Sequence, residues 1–407
     1  MNGVTDGSRF EYDPGVVVHG RGRVASLGEE LDRRGLERAL VVCGRTVGST
    51  RAVVEPVERG LGDRLAGVFA RTTPEKLLRT AVDAAAAFRE ADADALVGLG
   101  GGSSLDVATV ASALATPGDE RSYGELAREL AATGTVAVPD GDPPPVVAVP
   151  TTLAGAGLSQ GAGVNAAPRD GGLDEPASGG VSDPRLFPAA AFYDPDLFAT
   201  TPPDVLAGSA MNGFDKGVET LYARAATPVT DATATRGLSL LREALPALGR
   251  DPGDGRALER VVEGTLLVQY GVSRPDATTL SVLHAFGHGL RRRGGVQQGV
   301  AHAVVAPAVL RYVFERVDGR RGLLADALGV PRADRSDAEV AAGVVGAVAG
   351  VRDALGLPAR LRAVEGVERD DLPAVAAAVA GDGLLENCPP GLDPTAEDAL
   401  AVLRRAW

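Results

Sequence analysis

The stretch AMNGFDKGVETLY, residues 210–222, carries Asn212 and Lys216 four residues apart, which puts both on one face of a helix. Asp215 and Glu219 have the same spacing, as do His284 and His288, and His302 follows nearby. Carboxylates and imidazoles at that spacing are the donors a divalent ion prefers. A lysine among them suits different chemistry, because an ammonium donates hydrogen bonds and stabilises negative charge. Lys76 and Lys216 are the only lysines among 41 basic residues. That bias towards arginine is compositional and assigns no role by itself. Three of the four histidines fall within 284–302, which gives each more weight than an isolated, structural histidine has.

A second set is the run GLGGGSSLD, residues 98–106, between an apolar strand and a helix. Gly100, Gly101 and Gly102 let backbone approach a phosphate, and the helix start offers free N–H groups. Ser103 suits a cap or a phosphate contact. A tight strand-to-helix turn with no ligand has the same sequence. The run PTT, residues 150–152, opens another loop after a strand, and Thr151 and Thr152 strengthen the ligand reading. Two loops leaving one edge of a parallel sheet form the crevice in which a dinucleotide binds.

The elements that must position these residues divide the chain near residue 200. Before it, short apolar strands (15–19, 38–43, 94–99, 146–149) alternate with helical segments (23–35, 51–62, 74–90, 104–115), as in an α/β domain with a parallel sheet. Residues 117–145 are polar and proline-rich and read as an excursion. From about 203 onwards, Ala- and Leu-rich helical segments dominate: 204–224, 228–247, 256–272, 277–291, 300–317, 337–355 and 370–380. The expectation is an α/β dinucleotide-binding domain over 1–200 and an all-α domain over 201–407.

A net charge of −13 argues against nucleic acid as a partner. No run approaches the ~20 apolar residues of a membrane span. Met1–Phe10 lacks the features of a signal peptide, and Cys43 and Cys388 suggest no disulfide framework. We expect a cytoplasmic homodimer acting on a small molecule.

Three ordered motifs resemble the iron-containing alcohol dehydrogenase superfamily, whose α/β half is similar to dehydroquinate synthase. GGGSSLDVAT (100–109) resembles the form GGGSxxDxAK, with Asp106 kept and Thr109 in place of lysine. PTTLAGAG (150–157) resembles PTTxxGxG, and YDPDLFATTPP (193–203) resembles the passage into the helical domain. The stretches 61–104, 182–195 and 211–223 are most similar to the maleylacetate reductase branch. That branch reduces a carbon–carbon double bond of an unsaturated keto diacid with a nicotinamide cofactor.

The resemblance implies that the metal ligands of metal-dependent members fall here on Asn212, Lys216, His284 and Gln298. Two amides and an ammonium in that set lead us to expect no tightly held metal. Lys216 is then the group that stabilises charge on the substrate oxygen and delivers a proton, with His284 or His288 relaying it. Asn212 and His302 complete the expected catalytic set. The cofactor is NADP or NAD. Gly44 stands where NAD-preferring relatives carry an acid, and the adjacent Arg45 favours or admits a 2′-phosphate. Arg291–Arg293 suit either a substrate carboxylate or a solvated helix end. The alternatives are a metal-dependent alcohol dehydrogenase using Asp215, Glu219 and the histidines, and a nucleotide-binding protein without catalysis.

Overall fold

The computed structural model describes residues 8–168 and 172–407. The absence of a leader was read largely from residues 1–7, which lie outside the described residues. The chain forms two compact units. One comprises Tyr12–Thr152 and Ala156–Thr201. The other comprises Pro202–Trp407 with Leu153–Gly155 and the N-terminal segment up to Glu11.

Among its described residues the first unit holds eight strands: β1 Val16–His19, β2 Ala39–Gly44, β3 Leu65–Thr72, β4 Ala95–Gly100, β5 Val146–Pro150, β6 Gly161–Ala166, β7 Ala177–Ser182 and β8 Ala190–Tyr193. Six of them form a parallel sheet in the order β1-β8-β5-β4-β2-β3, and β6 and β7 form a separate antiparallel pair. Successive side chains of a strand point to opposite faces, so a sheet covered on both sides needs apolar residues at every position. β2 shows this: Leu40 and Val42 enter one buried cluster, and Ala39, Val41 and Cys43 enter the other. Each such Leu or Val side chain contributes roughly 1.5–3 kcal/mol on burial.

The second unit is helical, with no strand among its described residues. Its helices cross closely where glycine removes the side chain. A Cβ on Gly299 would lie 1.7 Å from the Gly208 carbonyl oxygen, so the helices Pro203–Tyr222 and Gln298–Arg316 touch backbone to backbone there. No helix among the described residues is long and apolar enough to cross a membrane. Cys43 and Cys388 are both buried and free, and burial pushes each thiol up to about 11.

Three local expectations need correction. The excursion 117–145 contains a helix, Tyr123–Thr133, started by a capping box of Ser122 and Glu125 and ended at Gly134 with φ 72°. The edge strand β3 was not read, because its alternation is blurred: it buries only Phe69 and Thr72. The helix expected over 277–291 begins at Val282, for a reason that lies in another helix and is given below.

Candidate functional site

The glycine-rich run lies where β4 ends. Gly100 and Pro150 are register partners at the ends of adjacent strands, and the Thr151 N–H donates to the Gly100 carbonyl. The two loops read from sequence therefore leave the sheet side by side. Gly100 has φ 130°, a conformation that favours glycine. The helix Gly102–Leu114 follows with Gly101 as its N-cap, and no side chain caps it. Ser103 is half-buried on the first turn and is not the cap, whereas Ser104 is turned inward to the Thr72 hydroxyl. A Cβ on Gly101 would stand 3.2 Å from Thr152 Cγ2, so little room is left for a side chain between the two loops. A helix start without a side-chain cap, beside backbone that carries no side chains, fits the pyrophosphate of a dinucleotide. Gly44 closes β2 beside Thr72 and Ser104, and Arg45 is exposed after it. Asp106 is one turn into the helix and pairs with Lys76.

The second cluster lies in the helical unit. Between Gly208 and Tyr222, only Asn212 and Lys216 are not buried, so their shared face is the open one. Lys216 is half-buried rather than fully enclosed. Its Nζ donates to the Gly155 carbonyl at 2.9 Å. Gly155 has φ 82°, and a Cβ there would meet Gln269 Nε2 at 2.5 Å, so this carbonyl is presented by a position that must be glycine. Neither neighbouring acid is the hydrogen-bond partner of Lys216: both Asp215 oxygens are buried without one, and Glu219 is engaged elsewhere.

Glu219 explains the late start of the histidine helix. Its Oε1 accepts the backbone N–H groups of Ser281, Leu283 and His284 at 3.2, 2.7 and 3.1 Å. A carboxyl from one helix thus caps the helix Val282–Gly294 in place of the usual N-cap side chain. Its Oε2 meets His284 Nδ1. Burial pushes Glu219 up to about 8, against the backbone N–H groups that pull it down. Burial, then the charge of Lys216, holds His284 well below its ordinary range. Burial thus raises Glu219 and lowers His284, the directions that favour a neutral carboxyl and a neutral imidazole in contact through Oε2 and Nδ1. His284 Nε2 is buried with no hydrogen-bond partner.

His302 is fully buried, its ring 4.4 Å from that of His284 and its Nδ1 3.8 Å from Asp215 Oδ2. Gly287 makes room for it, since a Cβ there would lie 2.3 Å from His302 Nε2. Burial, with the neighbouring His284, His288 and Lys216, keeps His302 neutral. Burial, then the neighbouring Glu219 carboxyl, raises Asp215. His288 is half-buried, and its Nδ1 is held by Asp382 at 2.9 Å. Asp382 also caps the turn that follows by accepting from the Leu384 N–H. Asn212 Oδ1 is buried and unpartnered, and Gln298 is half-buried. Arg293, at the end of the histidine helix, pairs with Asp371 on the surface.

Sequence reasoning named the histidines, Lys216 and Asn212. It did not find Gly155, Gly287, Asp382 or the capping role of Glu219. Glu219 had a signal, four residues from Asp215, but it reads from sequence as an alternative metal ligand or an ion-pair partner of Lys216, not as a cap. The donor set does not fit a divalent ion. The four positions offer one imidazole, two amides and an ammonium, and a cation beside Lys216 is repelled. The alternative carboxylates are committed to helix capping or fully enclosed. Among the described residues no group of three His, Cys, Asp or Glu side chains is arranged to hold a metal.

Comparison with known proteins agrees with this architecture. Residues 14–195 match the iron-containing alcohol dehydrogenase model, and residues 206–407 match the model of the Fe-containing alcohol dehydrogenase family, C-terminal. The chain is 30% identical over 397 residues to a maleylacetate reductase of Rhizobium sp. (strain MTP-10005), covering 97% of this chain and 96% of that protein. It is 27% identical over 390 residues to the lactaldehyde reductase of Escherichia coli (strain K12), covering 95% and 97%. A crystal structure of 1,3-propanediol oxidoreductase superposes with a TM-score of 0.87 at 24% identity, over 98% of this chain and 100% of that one. The chain belongs to the iron-containing alcohol dehydrogenase family and is an oxidoreductase.

Proposed function

We propose that the protein is an NAD(P)H-dependent reductase of a small carbonyl or unsaturated keto-acid substrate, and that it works without a metal ion. The observation that carries this reading is Lys216, fixed on the Gly155 carbonyl beside neutral, buried His284 and His302. The family's reaction puts negative charge on a substrate oxygen, and a preorganised ammonium stabilises that charge. Gly100, Gly101, Gly102 and Ser103, with Thr151 and Thr152, hold the nucleotide. A reduced nicotinamide bound there supplies the hydride. Lys216 donates to the substrate oxygen and transfers a proton as its charge develops, giving an alcohol from a carbonyl. In an unsaturated keto acid the same contact stabilises the enolate oxygen. His284 offers its Nε2–H as a second donor. Asn212 orients the substrate from the same helix face, and half-buried His288 exchanges protons with solvent. The similarity to maleylacetate reductases supports an acidic keto substrate, and the lysine in place of a metal ligand supports metal independence.

The test is the rate of Lys216→Arg and Lys216→Ala. Both are expected to fall by roughly 10²-fold or more, the scale of losing a general acid or a charge-stabilising donor. Arginine keeps the charge but not a transferable proton. Nucleotide affinity should hardly change, and a chelator should leave the wild type active. Inactivation by chelator with recovery on adding a divalent ion would overturn the reading and restore the metal-dependent alternative. Nucleotide binding with no turnover of any carbonyl or enone would leave a binding protein.

A further inference from the structure

Lys216 carries its ammonium on a flexible four-carbon stem, so the helix alone does not fix where the charge stands. The Gly155 carbonyl, 2.9 Å from Nζ, fixes it. The segment Leu153–Gly155 that bears this carbonyl belongs to the helical unit, although Thr152 before it and Ala156 after it do not. Three residues of the helix Pro203–Tyr222 hold the segment. The Ser209 hydroxyl accepts the Leu153 N–H at 3.1 Å and donates to the Leu206 carbonyl at 3.0 Å. Gly213 brings helix backbone against the segment, since a Cβ there would lie 2.3 Å from the Leu153 carbonyl oxygen. Lys216 closes the series on Gly155. Ser209, Gly213 and Lys216 are spaced i, i+4 and i+7, which is one stripe along a helix. On another side the segment meets buried Gln269, whose Nε2 would stand 2.5 Å from a Cβ on Gly155.

We propose that Ser209 is a positioning residue for Lys216: it fixes the segment Leu153–Gly155, and through the Gly155 carbonyl it sets where the ammonium meets the substrate oxygen. The assignment rests on the reading of Lys216 as the charge-stabilising donor. The path is short. Ser209 holds the N–H at one end of the segment, and the carbonyl at the other end takes the lysine. A serine inside a helix commonly bonds only to a carbonyl of the preceding turn. This one also takes an N–H from outside its helix. Leu153 is buried, so without the hydroxyl its N–H must find another acceptor, and the segment shifts to reach one. A donor to developing charge works only when held close to the reacting atom, and a displacement of about 1 Å costs up to roughly 100-fold in rate.

The test separates position from packing. Ser209→Ala removes the hydroxyl. Gly213→Ala favours the helix, but its methyl group pushes the segment away. Crystal structures of both variants give the Lys216–Gly155 distance. Initial rates are measured with NADPH and with NADH on acetylacrylate, an unsaturated keto acid, and on propanal. Both variants are expected to lose the Lys216–Gly155 contact and about tenfold in kcat, with KM within about twofold of the wild type. In a Lys216→Ala background the same changes are expected to cost less than about twofold, because the group they position is gone. If Ser209→Ala does not fold, Gly213→Ala decides. A contact kept in the folded variants overturns the inference. So does an unchanged kcat once the contact is lost. An equal loss in the Lys216→Ala background overturns it too, and makes Ser209 a packing residue. A Lys216→Ala enzyme as fast as the wild type, or a wild type that reduces neither probe, overturns the reading of Lys216 itself. That is a separate failure, and the crystal structures still decide whether Ser209 places the lysine.

Discussion

At the end of β4 the chain removes side chains, while in the helical unit it accumulates them. Gly100, Gly101 and Gly102 leave backbone and a helix start without a side-chain cap. The helices Pro203–Tyr222, Val282–Gly294 and Gln298–Arg316 instead bring together Lys216, three histidines and two buried carboxyl groups. In the proposed function the first region binds through backbone geometry, and the second acts through protonation states that burial sets. Even its glycines serve side chains, since Gly287 admits His302 and Gly155 fixes Lys216. Damage should therefore show as lost affinity in the first region and as lost rate or altered pH response in the second.

The largest expected effect beyond Lys216 is at the loop. Gly101 has an extended backbone that valine can adopt, so Gly101→Val should fold, yet in the proposed function its side chain enters the space of the phosphates. Dinucleotide affinity should fall by about 100-fold, with the thermal midpoint shifted by only a few degrees. An unchanged dissociation constant breaks the comparison at its root. In the helical unit, Asp382→Asn should lower kcat by about tenfold and leave KM alone, the scale of losing the partner that orients a functional imidazole. The same change in a His288→Ala background should add nothing, and an additive loss would show that Asp382 acts through stability instead.

Two smaller effects sharpen the contrast. Arg45→Ala should weaken NADPH several-fold more than NADH, by about 1–2 kcal/mol for a lost charged contact, and equal losses would remove Arg45 from the site. The last effect is a slope. Glu219 has a folded value of about 8, raised above its ordinary 4.5, so the native state holds a proton that the unfolded chain releases. Its stabilisation is complete below about 4.5 and is lost as the pH rises through about 8. His284 and His302, held low, cost stability only below about 6.5. Between pH 6.5 and 8 the unfolding midpoint should therefore fall, and Glu219→Gln should flatten that fall. A wild-type midpoint that rises across this window would refute the assigned protonation.

Much of the fold was legible because its signals are local. The apolar runs of β2, β4 and β5, the glycines after β4 and the helical texture beyond residue 203 each depend on residues within a few positions. The helix Tyr123–Thr133 was just as local and was missed, because the prolines around it outweighed the Ser122–Glu125 box. The face shared by Asn212 and Lys216 follows from helical spacing alone, and the structure leaves that face open. What the sequence determined, then, is which residues lie on which element, since backbone sterics and side-chain periodicity act over one turn or one strand.

Tertiary structure decided what each group touches. Lys216 meets a carbonyl 61 positions earlier in the chain, and Lys76 meets Asp106 across 30. Glu219 starts a helix more than 60 residues away, and His288 is held by Asp382 across 94. No local rule carries these distances. They arise because packing places the elements first, and a polar atom so buried must find its partner among whatever the packing brings within reach.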